Sequence, residues 1–189
     1  GYIYTGFWNS ETKDANFVCV SATDEDPDNP TETKYATWTY AVQGGFYWAG
    51  AYVTDKYAIV GSDDGESDST SDSSYVYCFD KLTGEVVQKV GPHHGDIRSD
   101  ISYYDGRIYF TSKGGYLYSY NLKEDGTIDT ENLIEPIEIG KMSTSTPAIA
   151  NGRCYVGSSY GSNFSGTYGI SVVDINEETG AMSLEYVVY

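Results

Sequence analysis

Ser145-Thr-Pro-Ala-Ile-Ala-Asn-Gly-Arg-Cys-Tyr-Val-Gly-Ser158 reads as a short strand, a tight turn and a second strand. Asn151-Gly152 is the turn, because Asn-Gly supplies the positive φ that a two-residue antiparallel hairpin needs. The second strand has three counterparts, Gly1-Tyr-Ile-Tyr-Thr-Gly6, Lys56-Tyr-Ala-Ile-Val-Gly61 and Gly106-Arg-Ile-Tyr-Phe-Thr111. Taking Tyr4, Ile59, Tyr109 and Tyr155 as equivalent, the steps are 55, 50 and 46 residues.

Working outward, each counterpart is followed by another strand, at 17–21, 75–79, 116–120 and 169–173, and then by a third, at 35–42, 85–90, 133–139 and 183–189. Three of the four are preceded by one more, at 48–53, 100–103 and 146–149, joined through the two-residue turns Thr54-Asp55, Asp105-Gly106 and Asn151-Gly152. A unit of four antiparallel strands recurring at about 50 residues is the pattern of propeller blades. No segment sustains a 3.6-residue apolar period, so the expectation is an all-β chain with almost no helix. The expected architecture is one β-propeller domain or fragment of about four blades, at 1–43, 44–91, 92–140 and 141–189. Each is a four-stranded antiparallel sheet, and the first lacks its opening strand.

Composition agrees. Twenty tyrosines against six phenylalanines and three tryptophans suit strands with one packed face and a hydroxyl end in water. Eleven Lys+Arg against 28 Asp+Glu give a net charge of −17, which argues against nucleic acid and against an anionic membrane surface. No apolar stretch is long enough to span a membrane as a helix. The first residues lack a basic segment followed by an apolar one, so no signal peptide is expected there. Cys19, Cys78 and Cys154 lie far apart inside strand-like runs, which predicts buried thiols.

The stretch 145–158, together with 100–120 and with Tyr75-Val-Tyr-Cys-Phe-Asp-Lys-Leu-Thr-Gly-Glu85, resembles the repeat of the pyrroloquinoline-quinone-like β-propellers. That family includes quinoprotein dehydrogenases, an outer-membrane assembly lipoprotein and many surface proteins. The tryptophan that closes its repeat and docks neighbouring blades appears once here, at Trp38; the matching place after Thr83-Gly84 carries Gln88. The adjacent cysteine pair of the dehydrogenases is absent, so the resemblance does not imply bound quinone.

Three of the loops between the second and third strands of a unit are long, and they share a face with the links between blades. Phe7, Trp8, Phe46, Tyr47, Trp48, Tyr160, Phe164 and Tyr168 fall on that face. Flat rings beside Asn, Ser and Asp suit a sugar or peptide ligand, with Trp8, Phe46, Tyr47, Trp48, Tyr160 and Phe164 as candidate contacts. His93, His94 and Asp96 offer imidazole and carboxylate donors for a divalent metal, although adjacent residues of an extended chain point opposite ways. Asp24, Asp26 and Asp28 have the one-three-five spacing of a calcium loop but lack its glycine and its closing glutamate, so only weak calcium binding could arise there. The acidic run 62–74 reads as a mobile loop that keeps the surface soluble.

No zinc-protease or phosphate-loop motif occurs. The sequence therefore leads to a non-catalytic binding or scaffolding module, extracellular or on a bacterial cell surface. Its partner would be a protein or glycan on the long-loop face, and the chain would be half of a dimeric propeller or part of a longer one. A carbohydrate-recognition module is the alternative, and a degenerate quinoprotein-like enzyme the second. Because a ligand that binds only the folded state must raise its melting temperature, adding pyrroloquinoline quinone with calcium to the purified protein is expected to leave the thermal midpoint unmoved. A saturable upward shift would disprove the quinone-free reading.

Overall fold

The computed structural model describes residues 1–23, 26–29, 33–68, 70–161 and 166–189. All its regular elements are strands, in four antiparallel sheets. The first sheet is β1 (Tyr2–Gly6), β2 (Asp14–Ser21) and β3 (Trp38–Gln43). The second is β4 (Tyr52–Val53), β5 (Tyr57–Gly61), β6 (Asp72–Asp80) and β7 (Val86–His94). The third is β8 (Ser102–Tyr104), β9 (Arg107–Thr111), β10 (Tyr116–Asn121) and β11 (Ile137–Glu138). The fourth is β12 (Ala148–Ala150), β13 (Arg153–Ser159), β14 (Tyr168–Ile175) and β15 (Met182–Val188). Within each sheet the strands pair in sequence order. Among the described residues no helix is long and apolar enough to cross a membrane.

The hairpins follow from their turn residues. Asp105 and Gly106 take φ of 47° and 78°, and Asn151 and Gly152 take 53° and 71°, so both tight turns have positive φ at both central positions. The turn of the second sheet lies one residue later than expected, at Asp55-Lys56. There Thr54 N–H donates to Tyr57 O, and Thr54 Oγ1 accepts from the N–H groups of Lys56 and Tyr57.

Side chains alternate along each strand, and the two faces bury against different neighbours. Phe17, Cys19 and Trp38 of the first sheet pack on Ala58, Val60, Tyr77 and Phe79 of the second. The second sheet's other face, Ile59, Val76, Cys78 and Val90, packs on Ile108, Phe110 and Tyr118 of the third. Tyr109, Leu117 and Ile139 then meet Cys154, Val156, Val173 and Ile175 of the fourth. Among the described residues no apolar core joins the fourth sheet back to the first, so the four sheets form an open arc rather than a closed four-bladed ring. The three cysteines are buried and unpaired, as expected.

Neighbouring blades are also docked at equivalent outer positions by three different chemistries. Trp38 Nε1–H donates to Lys81 O at 3.0 Å, and the indole lies where Gly84 leaves no room for a side chain. Gln88, at the matching place, makes two bonds to the backbone of Ile128 in the next blade, at 2.9 and 2.7 Å. Between the third and fourth sheets Ile134 packs at Gly180, while Arg107 donates to the carbonyls of Glu177 and Glu178. A primary amide thus does the docking of an indole.

Two expected elements differ. The third strand of blade three shrinks from 133–139 to β11, because Asp129 caps a turn over Glu131 and Asn132 and leaves Leu133 exposed. The expected link 91–99 is strand as far as His94, because the partner strand β6 begins early, at Asp72.

Tyr109 is fully buried and its counterpart Tyr155 is 41% exposed on the uncovered face of the fourth sheet. Tyr109→Ala is expected to destabilise by ~3–5 kcal/mol and Tyr155→Ala by less than ~1 kcal/mol, read by urea unfolding. Equal losses would mean that the fourth sheet is covered in solution.

Candidate functional site

The long-loop face carries a charged cluster and an aromatic groove, joined through Arg98. Arg98 sits in the link between β7 and β8, and its guanidinium is buried. It donates to both Asp63 oxygens, with Nη2 2.7 Å from Oδ2. The same Nη2 lies 3.0 Å from Glu11 Oε2 and 3.0 Å from Asp96 Oδ2. Lys113, between β9 and β10, reaches Asp96 Oδ2 at 3.1 Å, and Asp96 Oδ1 accepts from Asp64 N–H at 2.9 Å. The loops of three blades therefore converge on one ionic network. Three carboxylates face two cations, so one negative charge is in surplus. Burial pushes Asp63 up to about 7 and Asp96 to about 6.

This network corrects the reading of 62–74 as a mobile, solvated loop. Ser62, Asp63 and Asp64 are buried, and Asp64 accepts from Glu66 N–H, Ser71 N–H and Ser71 Oγ. The acids at the head of the run are drawn inward by Arg98 and by backbone donors, which composition alone does not reveal. Glu11, Asp63 and Asp96 bring ligand atoms within 4.8 Å of one another, the one such group among the described residues. The guanidinium of Arg98 occupies the middle of that group, so its donors are already committed to a cation of the protein's own.

Arg98 Cζ also lies 4.7 Å from the ring centroid of Tyr47. Tyr47 stacks on Trp8 at 5.0 Å and on Trp48 at 4.1 Å. The three rings edge a groove of about 460 Å³ whose walls are Tyr4–Trp8 on one side and Phe46–Gly50 on the other.

Trp48 is held at φ 61°, a region that bulky side chains rarely adopt, and is 64% exposed. The cause is an extra residue. A Cβ on Gly6 would fall 2.1 Å from Phe46 O, and one on Gly61 2.1 Å from Ile97 Cγ2, which makes Phe46 and Ile97 counterparts. Tyr52 and Ser102 are counterparts too, by their pairing with Ile59 and Tyr109, so Gly50 matches Asp100. From Phe46 to Gly50 is 50 − 46 = 4 steps, and from Ile97 to Asp100 is 100 − 97 = 3. The additional residue is absorbed by a left-handed turn that throws the indole outward.

Of the residues expected at the site, the structure brings Trp8, Tyr47 and Trp48 together. Phe46 is fully buried among Phe17, Tyr77 and Phe79, because its position is the core position that Ile97 fills in the next link. Tyr160 follows β13 of the fourth sheet, bonds Ser171 Oγ and lies against Tyr189, away from the groove. Phe164 and Asp24 lie outside the described residues. Asp26 and Asp28 are exposed, in a turn where Asn29 N–H donates to Asp26 O.

His93, His94 and Asp96 do not converge. His93 is buried against Phe110, Tyr118 and Tyr120, with Nε2 2.8 Å from Tyr120 Oη, whereas His94 pairs with Asp72 and Asp96 belongs to the Arg98 network. Both imidazoles meet the third blade, His93 against Tyr118 and His94 against Tyr116, but each is held by a different partner. Arg98, Lys113, Glu11 and Asp63 escaped the sequence reading. The available signal was that Arg98 is the one arginine of three that does not follow the glycine opening a repeat.

No family model matches the chain, and no curated protein matches it in sequence. Among solved structures it is similar to BamB from Moraxella catarrhalis, with a TM-score of 0.59 and 17% identity, over 98% of this chain and 47% of that one. Weaker likenesses are to the computationally designed Ika8 protein (TM-score 0.46, 16% identity, 75% of this chain and 36% of that one) and to a putative 6-phosphogluconolactonase from Bacteroides uniformis (TM-score 0.46, 12% identity, 99% and 67%). The chain spans about half the length of BamB, and the likeness shows the fold: the four sheets are blades of a partial β-propeller.

Burial holds His93 down at about 4, from an ordinary value of 6.5. A base depressed in this way contributes stability above pH 6.5 that is lost as pH falls towards 4, here ~3 kcal/mol. Asp63 and Asp96 act oppositely. Their raised values stabilise the fold below 3.8, and that contribution is lost as pH rises through about 6 to 7. His93→Gln is therefore expected to steepen the rise of unfolding free energy on acidification from pH 7 to pH 4.5. An unchanged profile would place the titration elsewhere.

Proposed function

We propose that the chain is a non-catalytic binding or scaffolding module, working outside the cell or at the surface of a bacterium, that engages a protein partner through the aromatic groove. Trp48 carries this reading. Holding a bulky residue at positive φ costs on the order of 1–3 kcal/mol, and the conformation leaves the ring largely in water, where it contributes little burial of its own. A fold maintains such a feature when the exposed ring is used. The carboxylates nearest the groove are bonded to Arg98 and Lys113 rather than aimed at a ligand, which supports binding over acid–base chemistry.

A glycan is the second reading, favoured by the continuous Trp8–Tyr47–Trp48 stack, which offers a flat surface to a sugar ring. At the two ends of the arc, Ile3 on one side and Tyr155, Ile170 and Tyr186 on the other are exposed. Further blades, from a second copy or a longer chain, would cover them. Exposed apolar faces of this kind mark interfaces.

An array carrying both glycans and fragments of bacterial surface proteins tests the groove. Trp48→Ala is expected to weaken the bound signal at least tenfold while leaving the melting temperature within about 2 °C, as for an exposed substitution. Loss of signal on glycan spots would favour the second reading, and binding untouched by Trp48→Ala and Trp8→Ala would remove the groove from the account.

A further inference from the structure

Between the outer strands of the first two sheets the stacking is incomplete. A cleft of about 310 Å³ opens there, walled by Tyr40 and Val42 of β3 and by Tyr75 and Tyr77 of β6. The next joint shows what closes such a space. Val60 pairs with Tyr77 and Phe110 with Tyr118, so Tyr77 and Tyr118 are counterparts, as are Tyr75 and Tyr116 two residues earlier. Cys19 and Cys78 pair with the counterparts Tyr4 and Ile59, so Ala15 and Ser74, four residues earlier, correspond as well; they pair with Val42 and His93.

In the second joint the His93 imidazole fills the space against Phe110, Tyr118 and Tyr120, and His94 N–H donates to Tyr118 Oη at 3.1 Å. In the first joint Val42 stands where that imidazole would, and Gln43 turns its amide to Gly65 O at 2.8 Å. An isopropyl group in place of a ring leaves the cleft. Tyr77 is 3% exposed and lines it, yet its hydroxyl, unlike that of Tyr118, bonds no protein group among the described residues. A buried hydroxyl without a partner in its own chain is an uncommon feature that needs one from outside.

The group that reaches over this wall is cationic. Lys89, opposite Tyr77 in β7, places its ammonium 3.9 Å from the Tyr75 ring centroid and 5.8 Å from that of Tyr77. Among the described residues that ammonium bonds no acceptor, in a chain with 28 acids against 11 bases. Ring faces alone hold it, through the attraction of their negative quadrupole for positive charge. Asp63, Asp64 and Glu66 also line the cleft. The oxygens of Asp63 are taken by Arg98, and those of Asp64 by the N–H groups of Glu66 and Ser71, so both supply field rather than ligand atoms. With Glu11 and Asp96 of the adjoining network there are five carboxylates against Arg98, Lys113 and Lys89, a local charge of 3 − 5 = −2 when all are ionised.

We propose that the cleft between the first and second blades binds a compact organic cation, a quaternary ammonium group, in the place now taken by the Lys89 ammonium. A quaternary ammonium has no N–H donor to satisfy, which suits a site made of ring faces. Lys89 is exposed and carries its charge on a flexible stem, so it can swing into water and give up the place. The Tyr77 hydroxyl then bonds a polar atom of the ligand. The site is separate from the aromatic groove and does not depend on it.

Choline chloride titrated into the isotope-labelled protein is expected to give saturable amide shifts at Tyr40, Tyr75, Tyr77 and Lys89, with a Kd below ~5 mM. The neutral isostere of choline, with a tert-butyl group in place of trimethylammonium, should bind at least tenfold more weakly. Lys89→Ala, an exposed substitution, should tighten choline at least threefold, because the resident cation no longer competes. Tyr75→Leu should weaken it at least fivefold, in a protein whose amide spectrum shows it to be folded. A capped trimethyllysine amide run beside choline separates two sources of the same chemistry: binding tenfold tighter than choline assigns the cation to a peptide, and equal binding to a small molecule. Equal binding of choline and its neutral isostere overturns the proposal. So does weaker binding after Lys89→Ala, which would make the lysine part of the site, or no saturable shift in either the native protein or Lys89→Ala.

Discussion

Ala58, Ile59 and Val60 are consecutive in β5, point alternately to opposite faces, and are all fully buried. The same holds for Ile108, Tyr109 and Phe110 in β9. A strand that is apolar on both faces must be covered twice, and with no helix among the described residues only another sheet can cover it. Sheet-on-sheet stacking therefore follows from the middle two blades, and each blade needs a neighbour on either side. The outer docking contacts then have latitude. Once two faces are packed, an indole at Trp38, an amide at Gln88 and an alkyl group at Ile134 each suffice to fix the far end of the joint.

The same stacking draws charge inward. Loops that leave adjacent blades on one face meet, and in a chain with 28 acids and 11 bases those loops are acidic. Burying Asp63 and Asp96 without a cation would cost several kcal/mol each. Arg98 offsets that cost with a planar fork that bonds Asp63 through two nitrogens and still reaches Glu11 and Asp96, which a lysine's single ammonium could not span. Its position then fixes Tyr47 above it, and Tyr47 holds both tryptophans. The groove is thus anchored to the core through one side chain.

Repetition made the blades legible. Gly-Arg-Ile-Tyr-Phe and Gly-Arg-Cys-Tyr-Val, each introduced by an Asp-Gly or Asn-Gly turn, state strand, register and period together. Resemblance at the level of the repeat carried no comparable information on the site, because the site is where the repeats differ. Phe46, Tyr47 and Trp48 are one aromatic run in sequence, yet one ring is core, one is a stacking platform and one is in water. Only the count of residues between Gly6's contact and β4 separates them, and that count is meaningless until the neighbouring link is superposed. Arg98 and Asp63 are 35 residues apart and Arg98 and Glu11 are 87 apart, so no local pattern couples them. The run 62–74 misled for the same reason: an acid looks solvated until the cation that buries it is known.

The insertion at Trp48 and the three-stranded first sheet meet at one place. Along the inner wall, each lead-in is bonded to the next, from Gly50 to Asp100 to Thr146. Followed backward, that series ends at Ala51, beside the open edge of β1 and beneath the extra residue. A regular link there would present the same backbone to solvent without a wall. The additional residue raises an indole beside β1, so that Tyr4, Gly6 and a flat apolar surface line one groove. Backbone pairing alone is weak for two or three residues, as the brevity of β4, β8 and β12 requires tertiary support to hold them. β8 receives that support from the blade on either side, through Gly50 O and Thr146 Oγ1.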